Sequence, residues 1–359
     1  MHLIRKVVCP GCGDSVEIAE HSRRDFLKTA AATATGAVTG GLTLFATPRA
    51  EAKPTSTSAA ERVIKALYDT LTESQKREVC FDWDYRNARG LLRTHVSANW
   101  QITKPNIDSD FFTKDQKELV FHVFKRMFNP DWHERLMKQL KDDSAGKPWG
   151  AEQAIAIFGK PGDKDKFMFV MTGRHLTCRA DGGSTSHVAL GGPIFHGHAP
   201  TGFNEKVGHP GNVFWHQALI ANRVFKILDG KQQEQALVKR RPFEAAVGFR
   251  GADGKRPGLP IAEMSRDQKD GVEEILLNLL APYRKEDVDE VRACLRKMGG
   301  FDKCSLAFYQ DGDLGNDREW DNWRLEGPSL VWYFRGTPHV HIWINVADDP
   351  TLPLNARVI

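Results

Sequence analysis

Apolar residues recur every three to four positions over residues 60–71, which predicts a helix with one buried face. Three segments share a local device: Thr72-Glu73-Ser74-Gln75, Thr113-Lys114-Asp115-Gln116 and Ser265-Arg266-Asp267-Gln268. Each fits the capping box, in which the hydroxyl accepts from the amide three residues on and that residue's side chain returns to the cap. Asp229-Gly230-Lys231-Gln232 is a looser fourth copy. The helix opened at Thr113 carries Leu119, Val120, Val123, Phe124 and Met127 on one face and ends at Asn129-Pro130. Further helices are predicted over residues 268–280 and 286–298, separated at Pro282.

Elsewhere the period changes. Residues 154–158 and 167–172 are short apolar runs bounded by Gly and Pro, as buried strands are, with 159–163 as the turn between them. Residues 187–195 and 329–346 also read as strands, the second folding back at Arg335-Gly336-Thr337-Pro338. The fold class is therefore α+β, with capped helices packed on an antiparallel sheet drawn from the middle and the end of the chain. Strand and helix do not alternate regularly, which argues against a doubly wound sheet. No repeat of fixed period is visible beyond the caps.

The amino terminus has a different character. Ser22-Arg23-Arg24-Asp25-Phe26-Leu27-Lys28, a weakly apolar run and then Ala50-Glu51-Ala52 read as a twin-arginine signal with an A-x-A cleavage pattern. Residues 1–52 are the expected signal, 53–59 a polar linker and 60–359 one α+β domain. The expected location is the periplasm or the exterior, and the expected partner during export is the twin-arginine translocase. The apolar run falls short of the ~20 strongly apolar residues a spanning helix needs. Removing residues 1–52 lowers Lys plus Arg from 50 to 44 and Asp plus Glu from 46 to 41, a net charge of +3. So mild a balance gives no footing for nucleic acid or an anionic membrane.

Two of the six cysteines, Cys9 and Cys12, lie ahead of the arginine pair in Cys9-Pro10-Gly11-Cys12. This is half of a zinc knuckle; the second Cys or His pair is missing from the leader, and cleavage would discard the motif. Of the other four, Cys294 and Cys304 are the first candidates for a disulfide, because Gly299-Gly300 between them can turn the chain; the alternative is four buried thiols.

Over residues 60–350 the chain resembles DUF3500, a bacterial family of unassigned function. The resemblance rests on the capped segments at 72–75 and 113–116, on Thr172-Gly173-Arg174-His175-Leu176-Thr177, on Pro193-Ile194-Phe195-His196-Gly197-His198-Ala199-Pro200, on Gly327-Pro328-Ser329-Leu330 and on His339-Val340-His341. Members commonly show consecutive histidines where this chain has Arg174-His175. They also show an acidic residue a few positions after the Gly-Pro, where this chain has Val331-Trp332-Tyr333. The resemblance implies no reaction.

Candidate chemistry centres on histidine, of which the chain has 13. Alternate residues of a strand share a face, so His339 and His341 point the same way about 6.5–7 Å apart and can ligate one ion. His196 and His198 have the same spacing. With His175, these pairs supply enough imidazole for a four-coordinate site suited to copper, zinc or iron. In an enzyme, Arg174 and His175 are the catalytic candidates, with Arg174 orienting an anionic group of a small-molecule ligand. The other reading is a non-catalytic periplasmic protein that binds a metal or small ligand. Ser184 and Ser186 lack a G-x-S-x-G elbow. Trp320, Trp323, Trp332 and Trp343 line either a pocket or the core.

Overall fold

The computed structural model describes residues 4–9, 12, 15–19, 59–162, 165–199, 213–314 and 317–357. The twin-arginine segment, the cut after Ala52, the linker up to residue 58, His209 and part of the 159–163 turn lie outside the described residues.

Ahead of the signal, β1 (Ile4–Val8) and β2 (Ser15–Ala19) pair as an antiparallel hairpin. The first half of the remaining chain then runs α1 (Ala59–Thr70), α2 (Glu73–Val79), β3 (Cys80–Phe81), α3 (Lys114–Met127), α4 (His133–Asp143), β4 (Gln153–Gly159), β5 (Phe167–Gly173), β6 (Leu176–Ala180) and β7 (Ile194–His198). The second half runs α5 (His216–Lys226), α6 (Gly230–Ala236), β8 (Leu237–Val238), β9 (Leu259–Pro260), α7 (Arg266–Leu280), α8 (Lys285–Lys297), β10 (Ser305–Tyr309), β11 (Asn322–Glu326), β12 (Leu330–Arg335) and β13 (Val340–Val346).

Eleven strands join one sheet in the order β8-β10-β11-β12-β13-β7-β6-β5-β4-β3, with β9 on β10. The sheet is mixed, not wholly antiparallel. The short β3 runs parallel to β4 and the short β8 parallel to β10, while the longer strands pair antiparallel. The order is palindromic: each half sends a capped helix into a short outer strand, then a capped helix and its partner helix into four antiparallel strands that step inward to β7 or β13. This repeat is invisible in the sequence except through the caps.

All four capping boxes form, at Thr72, Thr113, Asp229 and Ser265. They also pair. The amides of Gln75 and Gln116 exchange hydrogen bonds at 2.8 and 3.0 Å, and those of Gln232 and Gln268 do the same at 3.1 and 2.8 Å. One glutamine in each box thus satisfies its own cap and cross-links two helix starts, on top of the ~1 kcal/mol a cap contributes. Not every helix is capped this way: α4, α5 and α8 have no side-chain cap.

One face of the sheet is covered by the helices and holds the largest core, in which Trp320, Trp323 and Trp332 are buried. The other face is covered by irregular segments before α3 and after β8; there Val96, Ala98, Ala245 and Val247 pack on Phe195, Tyr333 and Trp343. All four tryptophans are therefore core. The strand expected over 187–195 begins only at Ile194. His187 and Leu190 take positive φ values of 69° and 59°, which an extended strand does not allow. No disulfide forms among the described residues: Cys294 and Cys304 remain separate thiols, each pushed up to about 12 by burial.

On α8, Glu290 accepts the Leu190 amide at 3.0 Å. Burial, with Asp181 nearby, pushes its carboxyl up to about 8. A raised folded value means that the fold prefers the neutral acid, so this stabilisation is complete below the ordinary value of 4.5 and is lost as pH rises through about 8. Glu290→Gln is expected to flatten the fall in melting temperature across that window. Parallel curves for the two proteins would exclude Glu290 as its source.

Candidate metal centre

The site lies on the irregular face of the sheet, where β13 begins. His339 and His341 straddle the first residues of β13, and both are fully buried with their Nε2 atoms 3.0 Å apart. This realises the geometry expected of an i, i+2 pair on a strand. His175 stands beside them at the turn from β5 to β6, its ring centroid 4.9 Å from that of His339 and 5.0 Å from that of His341. Three features hold it there. Its φ is +57°, its amide donates to Ala98 O at 2.9 Å, and its carbonyl accepts the Gly197 amide at 3.0 Å.

Gly197 is what admits the ring. A Cβ there would meet Val340 O at 2.8 Å and His175 Cγ at 3.0 Å. The glycine between His196 and His198 is thus the part of that motif that serves this site.

The two flanking histidines do not reach it. Gly197 pairs with His341 across β7 and β13, so Gly197 shares the face of His341, while His196 opposite Ile342 and His198 opposite Val340 face the helices. His196 packs among Phe128, Phe214 and Tyr283, and burial pushes its imidazole down to about 4. His198 Nε2 bonds Asp142 Oδ2 at 2.9 Å. The five histidines expected to converge therefore separate into three and two, because neighbouring residues of a strand point to opposite faces. Arg174 sits next to His175 in sequence but donates Nη1 to the Asp143 carbonyl at the end of α4, at 2.8 Å.

Two carboxylates stand behind the imidazoles. Glu244, in the irregular segment after β8, bonds His341 Nδ1, accepts from Trp343 Nε1 at 3.1 Å and lies 3.3 Å from Arg335 Nη1. Burial raises its carboxyl, but His341 and Arg335 outweigh it and hold the group at about 2. Asp143 Oδ1 lies 2.9 Å from His175 Nδ1. Burial acts upward on Asp143 too, and His175 brings its value below normal. A carboxylate at Nδ1 fixes the tautomer in which Nε2 carries the lone pair. Burial keeps His339 neutral, lowering it to about 3. Neither Glu244, Arg335 nor Asp143 carries a local sequence signal; topology alone brings them in.

The second pair missing from Cys9-Pro10-Gly11-Cys12 is this one. Cys9 Sγ lies 3.9 Å from His341 Nε2 and Cys12 Sγ 3.5 Å from His339 Nε2, and the four ligand atoms are all within 4.8 Å of one another. Tetrahedral zinc with bonds of ~2.05 Å to nitrogen and ~2.3 Å to sulfur requires edges of ~3.3 Å between nitrogens and ~3.6 Å between nitrogen and sulfur. The donor set and its spacing fit a metal ion of this kind. Arg335 Nη1 donates to Cys9 Sγ at 3.1 Å. A hydrogen bond from Cys12, then those from His339 and His341, hold the Cys9 thiol far below its usual range despite burial.

The model of a family described as a protein of unknown function, DUF3500, matches residues 53–346. The chain belongs to the DUF3500 family. A twin-arginine translocation signal matches residues 20–40 of this DUF3500 member, which is thereby addressed through the twin-arginine translocase to the periplasm or beyond. No helix among the described residues is long and apolar enough to cross a membrane. No curated protein and no solved structure matches the chain.

Proposed function

We propose that the exported protein is a metal-dependent enzyme whose ion rests on His339 and His341, with His175 as the third imidazole. The observation that carries this reading is the meeting of three buried imidazoles, two of them backed by carboxylates. Three protein ligands with an open position mark catalytic rather than structural metal sites. When bound, the ion supplies Lewis acidity or redox chemistry; copper, zinc and iron all accept imidazole nitrogen.

The chain's own groups do the rest. Glu244 holds the proton on His341 Nδ1 and counters the charge of Arg335. A cavity of about 200 Å³ lined by Arg241, Phe243, Glu244, Asp311, Tyr333 and Arg335 abuts the site. Arg241 and Arg335 there face Asp311 at 3.6 Å and Glu244 at 3.3 Å, so the cavity matches its cations with anions and suits a small polar substrate. Arg174 does not line this cavity, so the anion-orienting role expected of it has no counterpart in this reading.

A second reading, a non-catalytic metal-binding protein, draws on the closed four-donor shell that Cys9 and Cys12 complete. It applies as long as those two residues stay attached.

Metal analysis of the exported protein is expected to find about one ion per chain. The His339→Ala, His341→Ala double variant is expected to fold and be exported but to retain under about a tenth of that metal, since it lacks both primary donors. Undiminished metal in the double variant would sink the proposal.

A further inference from the structure

The donor set changes along the life of the chain. Cys9 and Cys12 belong to the hairpin β1–β2, which precedes the twin-arginine signal matched at residues 20–40. The A-x-A pattern at residues 50–52 places the cut between this hairpin and the rest of the chain. His339, His341 and His175 lie beyond it, within the family match. The precursor and the exported protein thus hold different ligand sets for one site.

We propose that the hairpin before the signal is a removable metal-ligand arm, which loads the site with a thiophilic divalent ion in the cytoplasm and surrenders it on cleavage. The proposal rests on the reading of His339 and His341 as metal ligands and adds how the ion arrives. In the precursor two thiolates and two imidazoles close a tetrahedral shell, the set that favours zinc and excludes hard cations. Arg335 fits the thiolate state: its guanidinium reaches Cys9 Sγ at 3.1 Å and Glu244 at 3.3 Å, so a buried cation faces both anions. Each thiol gives up a proton as its metal bond forms.

Hydrolysis after Ala52 breaks one peptide bond with one water and leaves the arm held only by its two metal–sulfur bonds; as these exchange, each departing thiolate takes back from solvent the proton it lost on binding. His339 and His341 then keep the ion, His175, with its ring 4.9 and 5.0 Å from theirs, is placed to replace a lost sulfur, and the remaining position opens. Twin-arginine export carries folded proteins, so a site loaded in this way crosses the membrane already filled.

The test uses the full-length chain carrying Arg23→Lys and Arg24→Lys, which keeps the precursor in the cytoplasm, beside the exported protein. Both are stripped of metal and titrated with Co²⁺, whose thiolate bonds give intense near-ultraviolet charge-transfer absorption that imidazole bonds do not. The precursor is expected to show this absorption at one equivalent of Co²⁺. Cys9→Ser with Cys12→Ser, a change confined to the arm, is expected to abolish it, as is His339→Ala with His341→Ala. The exported protein is expected to bind Co²⁺ without it. A precursor lacking the band while the exported protein still binds Co²⁺ overturns the arm and leaves the proposed function standing. Failure of both proteins to bind overturns both. A band that survives loss of His339 and His341 places the thiolates on metal elsewhere and also overturns the arm. Circular dichroism of each variant separates lost ligands from lost folding.

Discussion

Glu244→Ala should destabilise the exported protein by about 3–5 kcal/mol and weaken metal binding by roughly 10–100-fold. The first effect follows from Arg335, which is buried and faces Glu244 at 3.3 Å. Removing the carboxylate strands a cation in a low-dielectric environment, and breaking such a pair costs far more than forming it gains. The second follows from His341, whose Nδ1 loses the acceptor that fixes its tautomer. Glu244→Gln keeps the volume and an acceptor for the imidazole but no charge for Arg335, so it should fall between the two proteins. Denaturant unfolding and metal competition measure the two effects separately. A stability loss within about 1 kcal/mol of zero for Glu244→Ala would contradict its role as counterion to Arg335.

Gly197→Ala is the second large effect, expected to cost about 1–3 kcal/mol by overpacking. Its Cβ would press on a backbone carbonyl at 2.8 Å, which cannot swing aside as a side chain can, and on His175 at 3.0 and 3.1 Å. Relief requires β7 to draw away from β13 or His175 to leave the pair. Metal affinity should therefore fall along with stability, whereas an equally destabilising change on the helix-covered face should leave affinity unchanged. Equal affinity for Gly197→Ala and the unaltered protein would show that His175 takes no part in the site.

What could be read from the sequence was local. The capping boxes were legible because hydroxyl, spacing and glutamine lie within four residues, and all four are present. The strand ending at Val346 and its turn at 335–338 were legible as apolar runs. By contrast β11, Asn322–Glu326, was hidden because it carries Arg324 and Glu326 into the interior. These charges meet at 3.4 Å, and Arg324 stacks over Tyr333, so a buried strand presents a polar sequence. The candidate metal ligands divided on the same ground. Spacing put His339 and His341 on one face, but whether His196 and His198 shared it depended on the register between β7 and β13, which no local pattern encodes. Glu244 came into place through the path of an irregular segment, and the Cys9–Cys12 pair through contacts more than 320 residues distant.

The palindromic strand order gives the connection between the second and third strands of each four-strand run a counterpart in the other half. Gly173-Arg174-His175-Leu176 joins β5 to β6, and Gly327-Pro328-Ser329-Leu330 joins β11 to β12. In the first, His175 O receives the Gly197 amide; in the second, Ser329 O receives the Ala347 amide. The backbone role is the same, yet the side chains have parted. Ser329 turns its hydroxyl to the Ala347 carbonyl at 2.7 Å, tying the turn to the end of β13, while His175 extends an imidazole toward a neighbouring pair. One copy thus ties the sheet together, and the other carries the side chain on which the proposed function draws. Two equivalent positions can in this way keep the same backbone contact while only one of them presents a side chain to a candidate site.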